Sequence, residues 1–142
     1  MSDFADKVSK KVLLIEDEFY IRELYKNVLN EANIEVDCAL DGEEGIEKAK
    51  LKPALILLDI MLPVTNGIDV LRKLKAEKET KDIPVVLISN LGQEEVIKKT
   101  LELGAVGYFM KVHLKPVELV KQVKSFLEDP SYKMKTTIID RD

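Results

Sequence analysis

The sequence predicts an α/β fold, an open parallel sheet of five strands with helices on both faces. Three observations lead there. Five short runs have the apolar or β-branched character of strands, at Lys11–Glu16, Glu35–Ala39, Leu55–Asp59, Val85–Ser89 and Gly107–Met110. Three of the five are apolar without alternation, which marks strands covered on both faces, the habit of parallel sheets packed between helices. The gaps between the runs carry helical spacing, so the order is βαβαβαβαβα, and right-handed crossovers turn that order into a wound sheet.

The elements follow in turn. After the first strand Ile21, Leu24, Tyr25, Val28, Leu29 and Ala32 recur at three- and four-residue spacing and form one apolar stripe. The second helix is expected over Asp41–Lys50, with Glu43 and Glu44 in the first turn, where the helix dipole favours anions. Ile68, Leu71 and Leu74 mark a third, and Val96, Ile97 and Leu101 a fourth that stops at Gly104. The fifth starts at Pro116, acceptable in the first turn, and runs through Leu119, Val120, Val123, Phe126 and Leu127 to Asp129-Pro130.

With 142 residues, 46% of them hydrophobic and 34% charged, the chain is sized and composed for one core. Residues 10–129 are expected to form it, with 1–9 a flexible N-terminal segment and 130–142 a tail or linker stub. The stretch from Ser131 onward, with Ile138-Ile139 in its middle, is expected to fray. A net charge of −4 with both signs interleaved leaves no basic stripe for direct contact with nucleic acid or anionic lipid. No apolar run is long enough for a membrane span, none near the N-terminus resembles a signal peptide, and the one cysteine, Cys38, is expected as a small buried filler, so a cytoplasmic location is the expectation.

The main chemical signal is polar residues at the carboxyl ends of apolar strands. Glu16-Asp17-Glu18 ends the first, Asp59 the third, Ser89-Asn90 the fourth, and Lys111 follows the fifth. In a wound sheet these ends share one edge, where such folds carry their sites. Two carboxylates about 4 Å apart repel by roughly 4 kcal/mol at an effective dielectric of about 20, so the cluster calls for a cation, and hard oxygen donors suit Mg²⁺. Lys111 supplies a fixed positive charge beside it. A carboxylate between a metal and an ammonium can attack phosphorus, with Ser89 donating to a further oxygen. Taken singly, Asp17 and Asp59 are explained equally well as caps of the following helices. Helix capping does not explain three acids, a hydroxyl and a lysine all at strand ends.

The run Lys11-Val12-Leu13-Leu14-Ile15-Glu16-Asp17-Glu18, the run Leu57-Leu58-Asp59-Ile60-Met61-Leu62-Pro63 with Asn66-Gly67, then Ser89, and Gly104-Ala105 through Tyr108-Phe109-Met110-Lys111 together resemble the receiver domain of two-component response regulators. The resemblance implies a flavodoxin-like strand order 2-1-3-4-5 and a receiver domain over 10–129. It also implies Asp59 as phosphoacceptor, with Glu16, Asp17, Asp59 and the backbone carbonyl of Met61 holding Mg²⁺. Ser89 and Lys111 would bind phosphoryl oxygens, and Tyr108 would turn inward as Ser89 moves toward the site. It implies a sensor histidine kinase or histidine phosphotransfer protein as donor, a downstream protein target, and a homodimer through the fourth helix, fifth strand and fifth helix. Whether such a chain stands alone or is cut from a longer regulator is left open.

Two departures from the family pattern stand out. Glu16 occupies a position where Asp is commoner. Lys111-Val112 replaces a Lys-Pro pair, and because a cis bond before Val costs about 2.5–4 kcal/mol, a trans bond is expected there. Lys115-Pro116 offers the pair later in the chain, but Lys111 directly follows the strand. His113, the lone histidine, has no partner motif and is read as incidental. The rival reading is an aspartate-nucleophile phosphohydrolase, which would need a second Asp where Met61 stands. A flavin-binding protein of the same fold would need a phosphate cradle where Glu16-Asp17-Glu18 lies. By the resemblance Met61 and Leu91 border the path of an attacking water, and both being apolar predicts a long-lived acyl phosphate.

Overall fold

A computed structural model describes residues 11–136. Within them five parallel strands form one sheet, ordered β2-β1-β3-β4-β5. The strands are β1 (Lys11–Ile15), β2 (Glu35–Ala39), β3 (Leu55–Asp59), β4 (Val85–Ser89) and β5 (Gly107–Met110). The helices are α1 (Phe19–Glu31), α2 (Gly42–Ala49), α3 (Gly67–Ala76), α4 (Glu94–Glu102) and α5 (Pro116–Glu128). The wound sheet and its strand order are those expected. β1 ends one residue earlier than expected, although the Glu16 N–H still donates to the Ala39 carbonyl at 3.0 Å.

The unbroken apolarity of the central strands is explained by their two buried faces. Leu13, Ile15, Ile56, Leu58, Val85, Leu87, Tyr108 and Met110 point to the side covered by α2, α3 and α4. The alternate residues Val12, Leu14, Leu55, Leu57, Val86, Ile88 and Phe109 point to the side covered by α1 and α5. Consecutive side chains of a strand project to opposite faces, so a strand apolar at every position needs a helical layer on each. β2, at the sheet edge, is only partly covered, so Cys38 on it, expected to be buried, is partly buried and packs against the core margin.

Local signals fix the helix starts. The Asp41 side chain accepts the Glu44 N–H at 2.8 Å while Glu44 accepts the Leu40 N–H at 2.8 Å, a reciprocal cap that starts α2 despite its weak stripe. Asn66 caps α3 by accepting from the Asp69 N–H at 3.1 Å. Gly104, at φ +109°, reverses the chain after α4. Leu24 proves exposed, on the margin of the α1 stripe, while Tyr25 and Leu29 are buried.

The tail departs from the expectation that it frays. Buried Gln122 of α5 accepts from the Tyr132 hydroxyl at 3.0 Å and from the Lys135 N–H at 3.2 Å, and Met134 joins the core on the α1/α5 side near Gly107. Residues 1–9, the expected flexible segment, and Ile138-Ile139 lie outside the described residues. No helix among the described residues is long and apolar enough to cross a membrane.

Candidate functional site

The carboxyl edge of the sheet gathers the acids as its register requires. β1 lies between β2 and β3, and the residues just past it sit beside the end of β3. One carboxylate oxygen each from Glu16, Asp17 and Asp59 lies within 4.8 Å of the others. Glu16 and Asp59 are buried and Asp17 is exposed. The Lys111 ammonium, delivered by β5 from the far side, is 2.9 Å from Glu16 Oε1 and 3.2 Å from Asp59 Oδ2. Each buried acid also accepts from a backbone N–H two residues on. Glu18 donates to Glu16 Oε2, and Met61 to Asp59 Oδ1, both at 3.1 Å. Gly67 at the head of α3 allows this loop to close. A β-carbon there would lie 2.6 Å from the Ile60 Cα and meet the Asp59 carbonyl.

Burial and the Asp59 charge push the Glu16 carboxyl from its ordinary 4.5 up to about 7, against the opposing pull of Lys111. Burial pulls the Lys111 ammonium down, but its bonds to Glu16 and Asp59 prevail and leave it above the ordinary lysine value. The acids open onto a cleft of about 340 Å³ lined by Glu16, Asp17, Glu18, Asp59, Met61, Asn90 and Lys111. Three convergent carboxylates with one ammonium between two of them leave excess negative charge facing that cleft, a donor set that fits a small divalent cation.

The sequence of residues 12–124 matches the model of the response regulator receiver domain. The chain belongs to this family. It is 37% identical over 121 residues to the phosphate regulon transcriptional regulatory protein PhoB of Escherichia coli K12, a match spanning 84% of this chain and 52% of PhoB. It thus spans about half the length of the curated relatives of this kind that it matches. It is 33% identical over 110 residues to the chemotaxis protein CheY of Halobacterium salinarum, covering 77% of this chain and 90% of CheY. Among solved structures it superposes on a chain of the CheX-CheY-BeF3-Mg²⁺ complex of Borrelia burgdorferi with a TM-score of 0.76 at 26% identity, covering 86% of this chain and 92% of that one.

In this receiver Ser89 and Tyr108 meet at Leu91 rather than at the acids. The Leu91 N–H donates to Ser89 Oγ at 3.1 Å, and the Tyr108 hydroxyl donates to the Leu91 carbonyl at 2.6 Å. Tyr108 is fully buried. Burial of its hydroxyl raises its pKa, with the bond to Ser89 pulling the other way and the Asp59 charge adding to the rise. Leu91 itself packs, partly buried, against the core, while its neighbour Asn90 lines the cleft. Lys111–His113 forms one turn of 3₁₀ helix with no cis bond, and His113 is exposed.

Asn90, named with Ser89 at the end of the fourth strand but given no role by the sequence, lines the cleft. One further residue at the site has no counterpart in the sequence reading. Arg22, on the first turn of α1, reaches back to the carbonyls of Glu16 and Asp17. An arginine six residues after a strand-ending acid is a usable signal, since its length spans one helical turn back to the loop.

Proposed function

We propose that this receiver accepts a phosphoryl group on Asp59 from a phosphohistidine on a sensor kinase or histidine phosphotransfer protein, with Mg²⁺ held by Glu16, Asp17, Asp59 and the Met61 carbonyl. The observation that carries the reading is Asp59 opening onto the cleft with the Lys111 ammonium 3.2 Å from its second oxygen. An Asp59 oxygen forms the new P–O bond as the P–N bond to the donor histidine breaks. The imidazole nitrogen keeps the electron pair and takes a proton from solvent. Lys111 stays beside the oxygens that gather charge, and Ser89, freed from the Leu91 N–H, donates to another. Mg²⁺, when bound, would neutralise charge on the transferring group. That CheY can be held with BeF3 and Mg²⁺, as in the Borrelia burgdorferi complex, is consistent with the same donor set here.

A protein donor is favoured over a small substrate because the segments that follow the strand ends expose Phe19, Tyr20, Met61 and Val112, apolar groups that a docking protein would cover. The phosphohydrolase reading lacks its second acid, as the exposed Met61 stands there. The output is a protein contact in the cytoplasm, with exposed Leu101, Val106 and Val117 on the α4, β5 and α5 side suited to a target or a second copy. Incubation with a small acyl-phosphate donor and Mg²⁺ should add one phosphoryl group to the native chain, with none on Asp59→Asn and none in EDTA. Equal labelling of Asp59→Asn would overturn the assignment.

A further inference from the structure

The three acids are not held alike. Glu16 and Asp59 are fixed by Lys111 and by backbone donors. No side chain among the described residues bonds to the Asp17 carboxylate, so its position depends on the backbone of the β1–α1 loop. Besides the Glu16 carboxylate, which accepts the Glu18 N–H, one side chain among the described residues holds that backbone. Arg22 Nη1 donates to the Glu16 carbonyl at 3.1 Å and to the Asp17 carbonyl at 3.0 Å. Its guanidinium carbon lies 5.6 Å from the centre of the Phe19 ring, which packs edge-on against Tyr20 at 5.6 Å and 81°. A planar cation over an aromatic face is restrained in orientation as well as position.

We infer that Arg22 is a positioning residue for the metal site, bracing the β1–α1 loop so that Asp17 faces the cleft. The inference rests on the Mg²⁺ reading above and names no new ligand. It makes an unusual prediction of sign. Arg22 is a cation near a cation site, and by charge alone its removal would strengthen Mg²⁺ binding. As a brace, its removal weakens binding, because Asp17 must then be ordered at the moment of coordination. Supporting groups behind a metal site commonly influence affinity about tenfold or more.

The test is calorimetric titration of Mg²⁺ into the native chain, Arg22→Met, Arg22→Lys and Phe19→Leu, each checked for an intact thermal transition. Arg22→Met, which keeps the aliphatic stem, is expected to bind Mg²⁺ about tenfold more weakly. Arg22→Lys, with the charge but not the planar fork, should fall between it and the native chain, and Phe19→Leu should weaken binding by a smaller factor in the same direction. At saturating Mg²⁺ the phosphorylation rate of Arg22→Met should return to the native rate. Native or tighter Mg²⁺ affinity in Arg22→Met overturns the brace while leaving the metal reading intact. Failure of the native chain itself to bind Mg²⁺ would overturn both.

Discussion

The two ends of the sheet solve the problem of buried polarity in opposite ways. At the amino end, among the described residues, buried Thr80 and partly buried Lys75 both rest on neutral backbone carbonyls. The Thr80 hydroxyl donates to the Leu74 carbonyl at 2.7 Å, and Lys75 donates to the carbonyls of Lys81 and Ile83 at 3.1 and 2.9 Å. At the carboxyl end three acids converge and, among the described residues, Lys111 is the one ammonium in contact with them. The polar groups named at the amino end rest on neutral carbonyls, while the carboxyl end keeps a charge imbalance that an added cation, or a proton on Glu16, relieves. Stability contributed at the amino end should be indifferent to Mg²⁺, and stability at the carboxyl end should be governed by it.

The largest expected effect breaks the carboxyl end. Lys111→Met leaves Glu16 and Asp59 buried together without a counter-ion, and removing one partner of a buried ion pair costs on the order of 3 kcal/mol. Urea unfolding should show this loss in EDTA and a partial recovery in saturating Mg²⁺. Thr80→Val, at the amino end, leaves the Leu74 carbonyl without its buried donor and should cost about 1–2 kcal/mol with no dependence on Mg²⁺. Equal Mg²⁺ responses from the two variants would erase the contrast between the ends.

A pH series sharpens the same contrast. In the folded chain Glu16 holds its proton up to about 7, against 4.5 for an ordinary glutamate. Between those values the folded state binds a proton that the unfolded state has released, so stability contributed by this group falls as pH rises from about 4.5 to about 7 and is level above. A divalent cation that holds Glu16 ionised removes the advantage of the proton. Denaturation midpoints should therefore decline across that range in EDTA and decline less in saturating Mg²⁺. An identical slope in both would mean that Glu16 does not sense the metal.

The two ends also differed in how well they could be read from sequence. The sheet was legible because residues 55–58 and 85–88 are apolar at every position, a run that a sheet covered on both faces buries. Glu16, Asp17, Asp59 and Lys111 were legible because strand order alone brings strand ends together. What depends on side-chain reach was not. The docking of Tyr132 and Met134 requires buried Gln122, thirteen residues before Lys135, to face the tail. Ser89 shares its strand end with the acids, yet its hydroxyl is turned to the Leu91 N–H, an arrangement set by the β4–α4 loop rather than by the pattern of β4.

The smallest expected effect concerns water reaching the acyl phosphate, and the structure narrows it to one side chain. Met61 is exposed and lines the cleft, whereas Leu91 is packed against the core and does not. Shielding by apolar groups should then reside in Met61 alone, offset by Asn90, whose amide already borders the cleft and can hydrogen-bond a water. Met61→Asn adds a second such group to the cleft lining, where it can orient a water without abstracting its proton. The acceleration should be modest, about threefold, far below the 10²–10⁴ that a placed general base supplies. Leu91→Glu should leave the rate near native, since Leu91 packs against the core and is not among the residues lining the cleft. Decay of the phosphorylated protein, followed in parallel for the native chain and both variants, decides the matter. A native half-life equal to that of Met61→Asn would mean that Met61 does not gate the water, and a large acceleration in Leu91→Glu would mean that the β4–α4 loop turns its side chain toward the site once Asp59 is phosphorylated.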